Sequence, residues 1–181
     1  MNTAPVTRTI YVLVGLPFSG KTTLAAQLVR ENDAYLIERD RFLEDLRHDP
    51  QTRARVAEEA QSVGQPISRL ASIREENARN DVLTRIYVER VRDMILATEK
   101  PVVIVDGTHL QALSRSFIRE LPGWRTVAVV LPTDAEECIR RLTSSVPTGI
   151  RSAITPDLIR RMAAVYEPPG MAEGFDELHS A

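Results

Sequence analysis

Residues 15–22 read Gly-Leu-Pro-Phe-Ser-Gly-Lys-Thr, a G-x-x-x-x-G-K-[ST] motif that follows directly on the β-branched run Ile10–Val14. An amphipathic segment with Leu24, Leu28 and Val29 comes next. Strand, glycine-bounded turn and helix form the context this motif needs, because backbone N–H groups at a helix N-terminus must converge on one anion. A chain built this way is expected to be α/β, with the loop at the carboxyl edge of a parallel sheet. Gly15 and Gly20 let the backbone approach a phosphate closely, and Pro17 and Ser19 lie within the turn. Lys21 would sit between the β- and γ-phosphates, the Thr22 hydroxyl would reach Mg²⁺, and Thr23 would donate to the α-phosphate. The implied ligand is ATP or GTP with Mg²⁺. The motif alone does not separate a kinase from an ATPase, a GTPase or a nucleotide-dependent switch.

Three apolar runs, Ile10–Val14, Val102–Val105 and Val127–Leu131, are unbroken rather than alternating, as expected for strands covered on both faces. Tyr35–Ile37 is a weaker strand after a helix from Lys21 to about Glu31. Alternating strand and helix predict a three-layer sheet of about five parallel strands. Between Arg41 and Lys100 two or three helices are expected, broken at Asp49-Pro50 and around Gly64-Gln65-Pro66. The last of them carries Val82, Leu83, Ile86, Tyr87, Val91, Met94 and Ile95 at helical spacing, a stripe that packs on the sheet. Asp134–Leu142 reads as a helix with acids in its first turn and Arg140 and Arg141 in its last, which suits the helix dipole. Residues 143–155 read as a mobile loop, Pro156 opens a further helix to Val165, and Pro168-Pro169-Gly170 stop it. Only the last few residues are expected to be disordered.

With 181 residues and 43% apolar content, the chain is long enough for one domain and too short for two. A net charge of −2 argues against the broad positive field of a dedicated nucleic-acid binder, so any such contact would be a local patch. Cys138 is the single cysteine, which excludes an internal disulfide and fits a reducing compartment. The run Ile10–Leu16 is too short for a signal sequence or membrane span, so a cytoplasmic protein is expected.

Asp106 ends the run Val102–Val105, so a parallel strand would bring its carboxylate to the edge that carries the phosphate loop, where Mg²⁺ is held. The alternative is an Asp that opens the Gly107-Thr108 turn, and both can hold. Asp40 follows the weaker strand. It could take the proton of an attacking hydroxyl, or Glu38-Arg39-Asp40-Arg41 could be a solvated charge run starting a helix.

Residues 15–23, Arg39-Asp40 and Val102–Leu110 together resemble the P-loop kinases grouped around the phage polynucleotide 5′-kinase domain. That group includes zeta-toxin-like sugar-nucleotide kinases, chloramphenicol phosphotransferase and gluconate kinase. The likeness extends to Arg140-Arg141 and Ile159–Pro169, and is weak between Phe42 and Lys100. It implies a nucleoside-kinase-like P-loop fold in which Asp40 is the general base and Asp106 lies near the metal or acceptor. Thr108 and His109 would fall where such kinases hold the acceptor, although His109 stands in place of their Asn. Arg141 and Arg151 would belong to a lid over the nucleotide. Polynucleotide kinases carry an arginine three residues after the base. This chain has Leu43 there, with Arg41 or Arg47 as substitutes.

The expected activity is transfer of the γ-phosphoryl group of ATP to a hydroxyl, with catalysis by Lys21, Asp40 and Arg141 within one domain spanning residues 1–181. Residues 42–100 would form the acceptor region and 143–155 the lid. The acceptor would be a nucleic-acid 5′ end or a small molecule. The rival is a nucleotide-dependent ATPase or regulatory module, for which Glu38 and Arg39 are the nearest versions of a water-positioning residue and an arginine finger. A toxin or antibiotic-resistance kinase acting on a sugar nucleotide or a drug uses the same chemistry.

Overall fold

The computed structural model describes residues 8–61, 69–119, 121–132, 134–145 and 153–181. Five strands, β1 (Arg8–Val14), β2 (Ala34–Glu38), β3 (Val102–Asp106), β4 (Trp124–Val130) and β5 (Glu177–Ser180), form one sheet in the order β2-β3-β1-β4-β5. Every pairing is parallel, so the carboxyl ends of all five strands lie along one edge. β1 is central, and its alternation divides the core. Ile10, Val12 and Val14 face one layer with Val103, Val105 and Ala128. Leu13 faces the other with Ile104, Val127 and Val129. Burial on both sides is why these runs carry no polar alternation.

Helix α1 (Lys21–Glu31) covers the second face through Leu24, Ala25, Leu28 and Val29. The first face is covered by α2 (Arg39–His48), α3 (Pro50–Gln61) and the 29-residue α4 (Arg69–Ala97). The expected stripe on α4 is buried there, with Val82, Ile86, Tyr87, Val91 and Ile95 each 3% exposed or less and Met94 packed against them. The break at Asp49-Pro50 is present. Asp49 ends α2 and accepts the Thr52 N–H at 2.7 Å, and Pro50 takes the first position of α3, where its missing N–H costs nothing. The break expected around Gly64-Gln65-Pro66 lies outside the described residues. A short helix α5 (Ala112–Arg115) and a 3₁₀ turn, Ser116–Ile118, lead into β4. After β4, α6 (Ala135–Ser144) and α7 (Pro156–Ala164) pack through Cys138, Ile139, Leu142 and Ile159 on Leu16 and Leu110 beside the phosphate loop. Asp134 and Thr155 cap these two helices with their side-chain oxygens.

The chain's end corrects one expectation. The last residues are ordered as edge strand β5, which pairs with β4 from Val127↔Glu177 to Val130↔Ser180. Just before it, Phe175 is 3% exposed in the core, and the Asp176 carboxylate accepts the Thr126 N–H at 2.7 Å. No helix among the described residues is long and apolar enough to cross a membrane.

Candidate active site

The loop 15–20 leaves β1 and turns sharply into α1. Gly20, at φ 106° and ψ 2°, adopts a left-handed conformation that an L side chain would strain. At Gly15 the constraint is space, since a Cβ there would lie 2.9 Å from Ser19 Oγ and 3.0 Å from Leu131 O. No described side chain caps α1, and its first turn holds no acid, so the N–H groups that open it remain suited to an external anion. Lys21 is 7% exposed, and its ammonium donates to Leu16 O at 2.6 Å and Ser19 Oγ at 3.3 Å, which holds it against the loop.

The adjacent strand ends complete the edge. Gly15 N–H donates to Thr108 O at 3.0 Å and Leu131 N–H to Val14 O at 2.8 Å, tying the loops after β1, β3 and β4 together. Asp106, 8% exposed, closes β3 and pairs in register with Glu38 at the end of β2. Burial pushes the Asp106 carboxyl up from its usual range, and the neighbouring Asp40 and Glu38 charges push the same way. A hydrogen bond from Thr22 and the charge of Lys21 oppose them. Thr22 hydroxyl and Asp106 carboxylate in contact, beside a lysine and an uncapped helix start, are the donor set expected for Mg²⁺ held with a triphosphate.

These elements open on one cleft of about 700 Å³. Its nucleotide side comprises Pro17, Phe18, Gly20, Lys21, Thr22 and Thr23, and Asp106, Gly107 and Thr108 form the floor. The far wall is Glu38, Arg39, Asp40 and Arg41, where β2 turns into α2, and Arg141, Ser145 and Ile154 close the rim. The charge run 38–41 therefore starts a helix and faces the cleft at once. Arg141 reaches across from α6, donating to Glu137 at 2.7 Å and to the Phe18 and Ser19 carbonyls at 3.2 and 3.3 Å. Arg140 turns to the same Glu137, and the two guanidinium groups, Arg140 first, hold that carboxyl down at about 2.

Two residues named from the sequence lie outside this cleft. His109 is fully buried and stays out of the cleft. Its Nδ1 lies 2.9 Å from Leu13 O and its Nε2 3.0 Å from the Tyr87 hydroxyl, so the ring donates to the carbonyl and accepts from the phenol. Burial first, and then nearby Arg39, bring its pKa down to about 3. Arg47 pairs with Glu44 on the surface outside this cleft, and Leu43 is core. Arg151 lies outside the described residues, as do 146–152 of the expected lid. Conversely, Glu38 and Arg39 are cleft residues, although sequence reasoning assigned them roles of their own only in the ATPase alternative and otherwise offered a charge run and the Arg39-Asp40 dipeptide of the resemblance. Their place at the end of a strand on the loop's edge was the available signal.

A parallel sheet with a glycine-bounded phosphate loop after its central strand, and an acidic strand end beside it, defines the P-loop NTPase class of α/β folds. The sequence matches the AAA domain family over residues 10–169, and the chain belongs to that family. No curated protein matches it. Among solved structures, a gluconokinase from Sinorhizobium meliloti 1021 superposes with TM-score 0.55 at 15% identity, over 96% of this chain and 82% of that one. A sugar kinase from Janibacter sp. HTCC2649 gives TM-score 0.56 at 21% identity, over 96% and 85%. TT1252 from Thermus thermophilus gives 0.52 at 16%, over 96% and 87%. At these identities the likeness is one of fold.

Proposed function

We propose that the protein is a cytoplasmic kinase that transfers the γ-phosphoryl group of ATP to a hydroxyl of a small molecule. The observation that carries this reading is the placement of Asp40. Its carboxylate is 58% exposed on the cleft wall facing the phosphate loop, while Asp106 is buried against Thr22. The two carboxylates thus suit different roles, one open to an acceptor and one turned to the metal side. In the proposed reaction Asp40 takes the hydroxyl proton as the acceptor oxygen bonds to the γ-phosphorus. The bond to the bridging oxygen breaks and ADP leaves. Lys21 and the loop amides hold the phosphate charge, and Arg141 offsets charge on the group in transfer, with Arg151 assigned to the same lid. Mg²⁺, held through Thr22 and Asp106, would neutralise the β- and γ-oxygens. Residues 1–181 act as one domain in this reading, with 42–100 on the acceptor side.

A small acceptor is favoured over a nucleic-acid 5′ end. Leu43 is in the core where polynucleotide kinases have an arginine, and two structural neighbours bear the names gluconokinase and sugar kinase. The test is ADP release with ATP and Mg²⁺ against sugars, sugar acids, nucleosides, 5′-hydroxyl oligonucleotides and antibiotics. Acceptor-dependent turnover is expected, falling about 10²–10⁴-fold in Asp40→Asn with ATP affinity retained, whereas Lys21→Ala weakens both. Acceptor-independent hydrolysis that rises with protein concentration would instead identify an ATPase module.

A further inference from the structure

Arg39 is the cleft cation that is mostly enclosed and yet left without a hydrogen bond among the described residues. Lys21 donates to Leu16 O and Ser19 Oγ, Arg141 to Glu137 and two loop carbonyls, and Arg41 is solvent-exposed. The Arg39 side chain is only 18% exposed, yet among the described residues it makes no hydrogen bond. Its Nε–H is shut off from solvent without a partner, and its nearest carboxylate oxygen, on Asp40, stands 3.7 Å from Nη1. A guanidinium carries five N–H donors; one of them, Nε–H, is closed off by the packing at some cost, and the Nη donors make no hydrogen bond among the described residues.

What holds Arg39 in this position leaves those donors free. Its guanidinium carbon lies 5.4 Å from the centre of the Tyr87 ring, a cation–π contact that uses no N–H. Tyr87 is itself fixed, being fully buried on α4 with its hydroxyl bound to His109, whose other nitrogen is bound to Leu13 O in β1. Gly107 makes room for the stem, since a Cβ there would lie 2.7 Å from both Cβ and Cδ of Arg39 and 2.8 Å from His109 Cε1. Strand, histidine, tyrosine and glycine together hold this arginine in the wall that carries Asp40.

We propose that Arg39 is the acceptor-recognition residue of the cleft, taking an oxyanion carried by the acceptor, a carboxylate or a phosphate, so that a hydroxyl of the same molecule meets Asp40. A planar guanidinium matches either group through two parallel N–H···O bonds, and here the two Nη groups, which are not closed off as Nε is, are the donors an anion in the cleft would meet. This deepens the kinase reading and rests on it. It also makes Tyr87 a positioning residue for Arg39.

The test uses full-length protein labelled with ¹⁵N-arginine and saturated with Mg²⁺ and a non-hydrolysable ATP analogue, so that the phosphate loop is filled. The Arg39 Nε–H resonance is assigned by its loss in Arg39→Lys. D-gluconate, adenosine 3′-monophosphate and uncharged D-glucose are then titrated. A saturable shift of that resonance by one anion and not by glucose is expected. Gluconate as the active probe identifies a carboxylate acceptor, and the nucleotide a phosphate-bearing one. Binding of that anion should weaken at least tenfold in Arg39→Lys and in Tyr87→Leu, with affinity for the ATP analogue within twofold of wild type. No saturable shift with either anion, or equal anion binding by Arg39→Lys, overturns the proposal. The readout does not need turnover. A shift without acceptor-dependent ADP release would leave the oxyanion site standing and remove the kinase reading, and turnover without a shift would do the reverse.

Discussion

In this cleft and just behind it, ionisable groups stand in opposite circumstances. Asp40 is open to water, Asp106 is nearly enclosed with its carboxyl pushed up, and His109 behind them is sealed with its pKa near 3. The histidine has a measurable consequence for the fold. In the unfolded chain it titrates near 6.5 and in the folded protein near 3, so between those values the unfolded state binds more protons. Its contribution to stability is therefore complete above about pH 6.5 and is lost progressively as pH falls toward 3. Urea midpoints measured from pH 7 to pH 4 should fall less steeply in His109→Asn than in wild type, although the variant starts lower at pH 7. The deficit at pH 7 should be about 1–3 kcal/mol, because the Tyr87 hydroxyl loses its partner. Parallel pH profiles would mean that the ring is not held neutral.

At the scale of elements, α5 and the C-terminal segment are joined by a buried ion pair. Arg115, its side chain fully enclosed, donates through Nε and Nη2 to the two Glu173 oxygens at 2.8 and 2.7 Å, and through Nη1 to the His109 and Glu167 carbonyls at 2.7 and 3.0 Å. Removing one partner leaves a buried charge uncompensated, so Glu173→Ala should cost about 3–5 kcal/mol. Hydrogen exchange should register the loss first in β5, which begins four residues after Glu173, and uniform loss of protection across the sheet would contradict a local latch. The same segment shows where sequence reading stops. β1, β3, β4 and the α4 stripe were legible because burial on both faces, or along one helical stripe, leaves long apolar patterns. β5 has no such signature. Glu177-Leu178-His179-Ser180 is an edge strand with Leu178 41% exposed, held by backbone pairing and by Asp176, Phe175 and Glu173 beside it. The phosphate loop could be read because its motif is local, and Asp106 because it ends its own strand, whereas a part for Arg141 over the nucleotide rests on the resemblance alone. His109 could not be placed, since its burial is decided by Tyr87 on a helix 22 residues earlier.

For the molecule as a whole, five parallel strands deliver their carboxyl ends to one edge, so nucleotide binding engages the loops after β1 and β3 at once and should stabilise the entire sheet. A Mg²⁺-nucleotide at one hundred times its Kd adds about 2.7 kcal/mol, which for a chain of this length is roughly 5–10 °C in Tm. Lys21→Ala should abolish that shift. Asp106→Asn should raise the Tm of the free protein, because a carboxylate that burial disfavours is gone, and should lose the part of the shift that depends on Mg²⁺. A lower Tm for free Asp106→Asn would mean that its contact with Thr22 outweighs the cost of burying the charge. The Arg115 latch also bears on how such a chain is made. Synthesis runs from the N-terminus, and Glu173 is added 58 residues after Arg115. Until it leaves the ribosome, a cation destined for the interior has no counter-ion, and β4 presents a bare flank to its surroundings. The nascent protein thus passes through a stage in which the strands bearing the phosphate loop and Asp106 are already made while Arg115 still lacks the carboxylate that will pair with it.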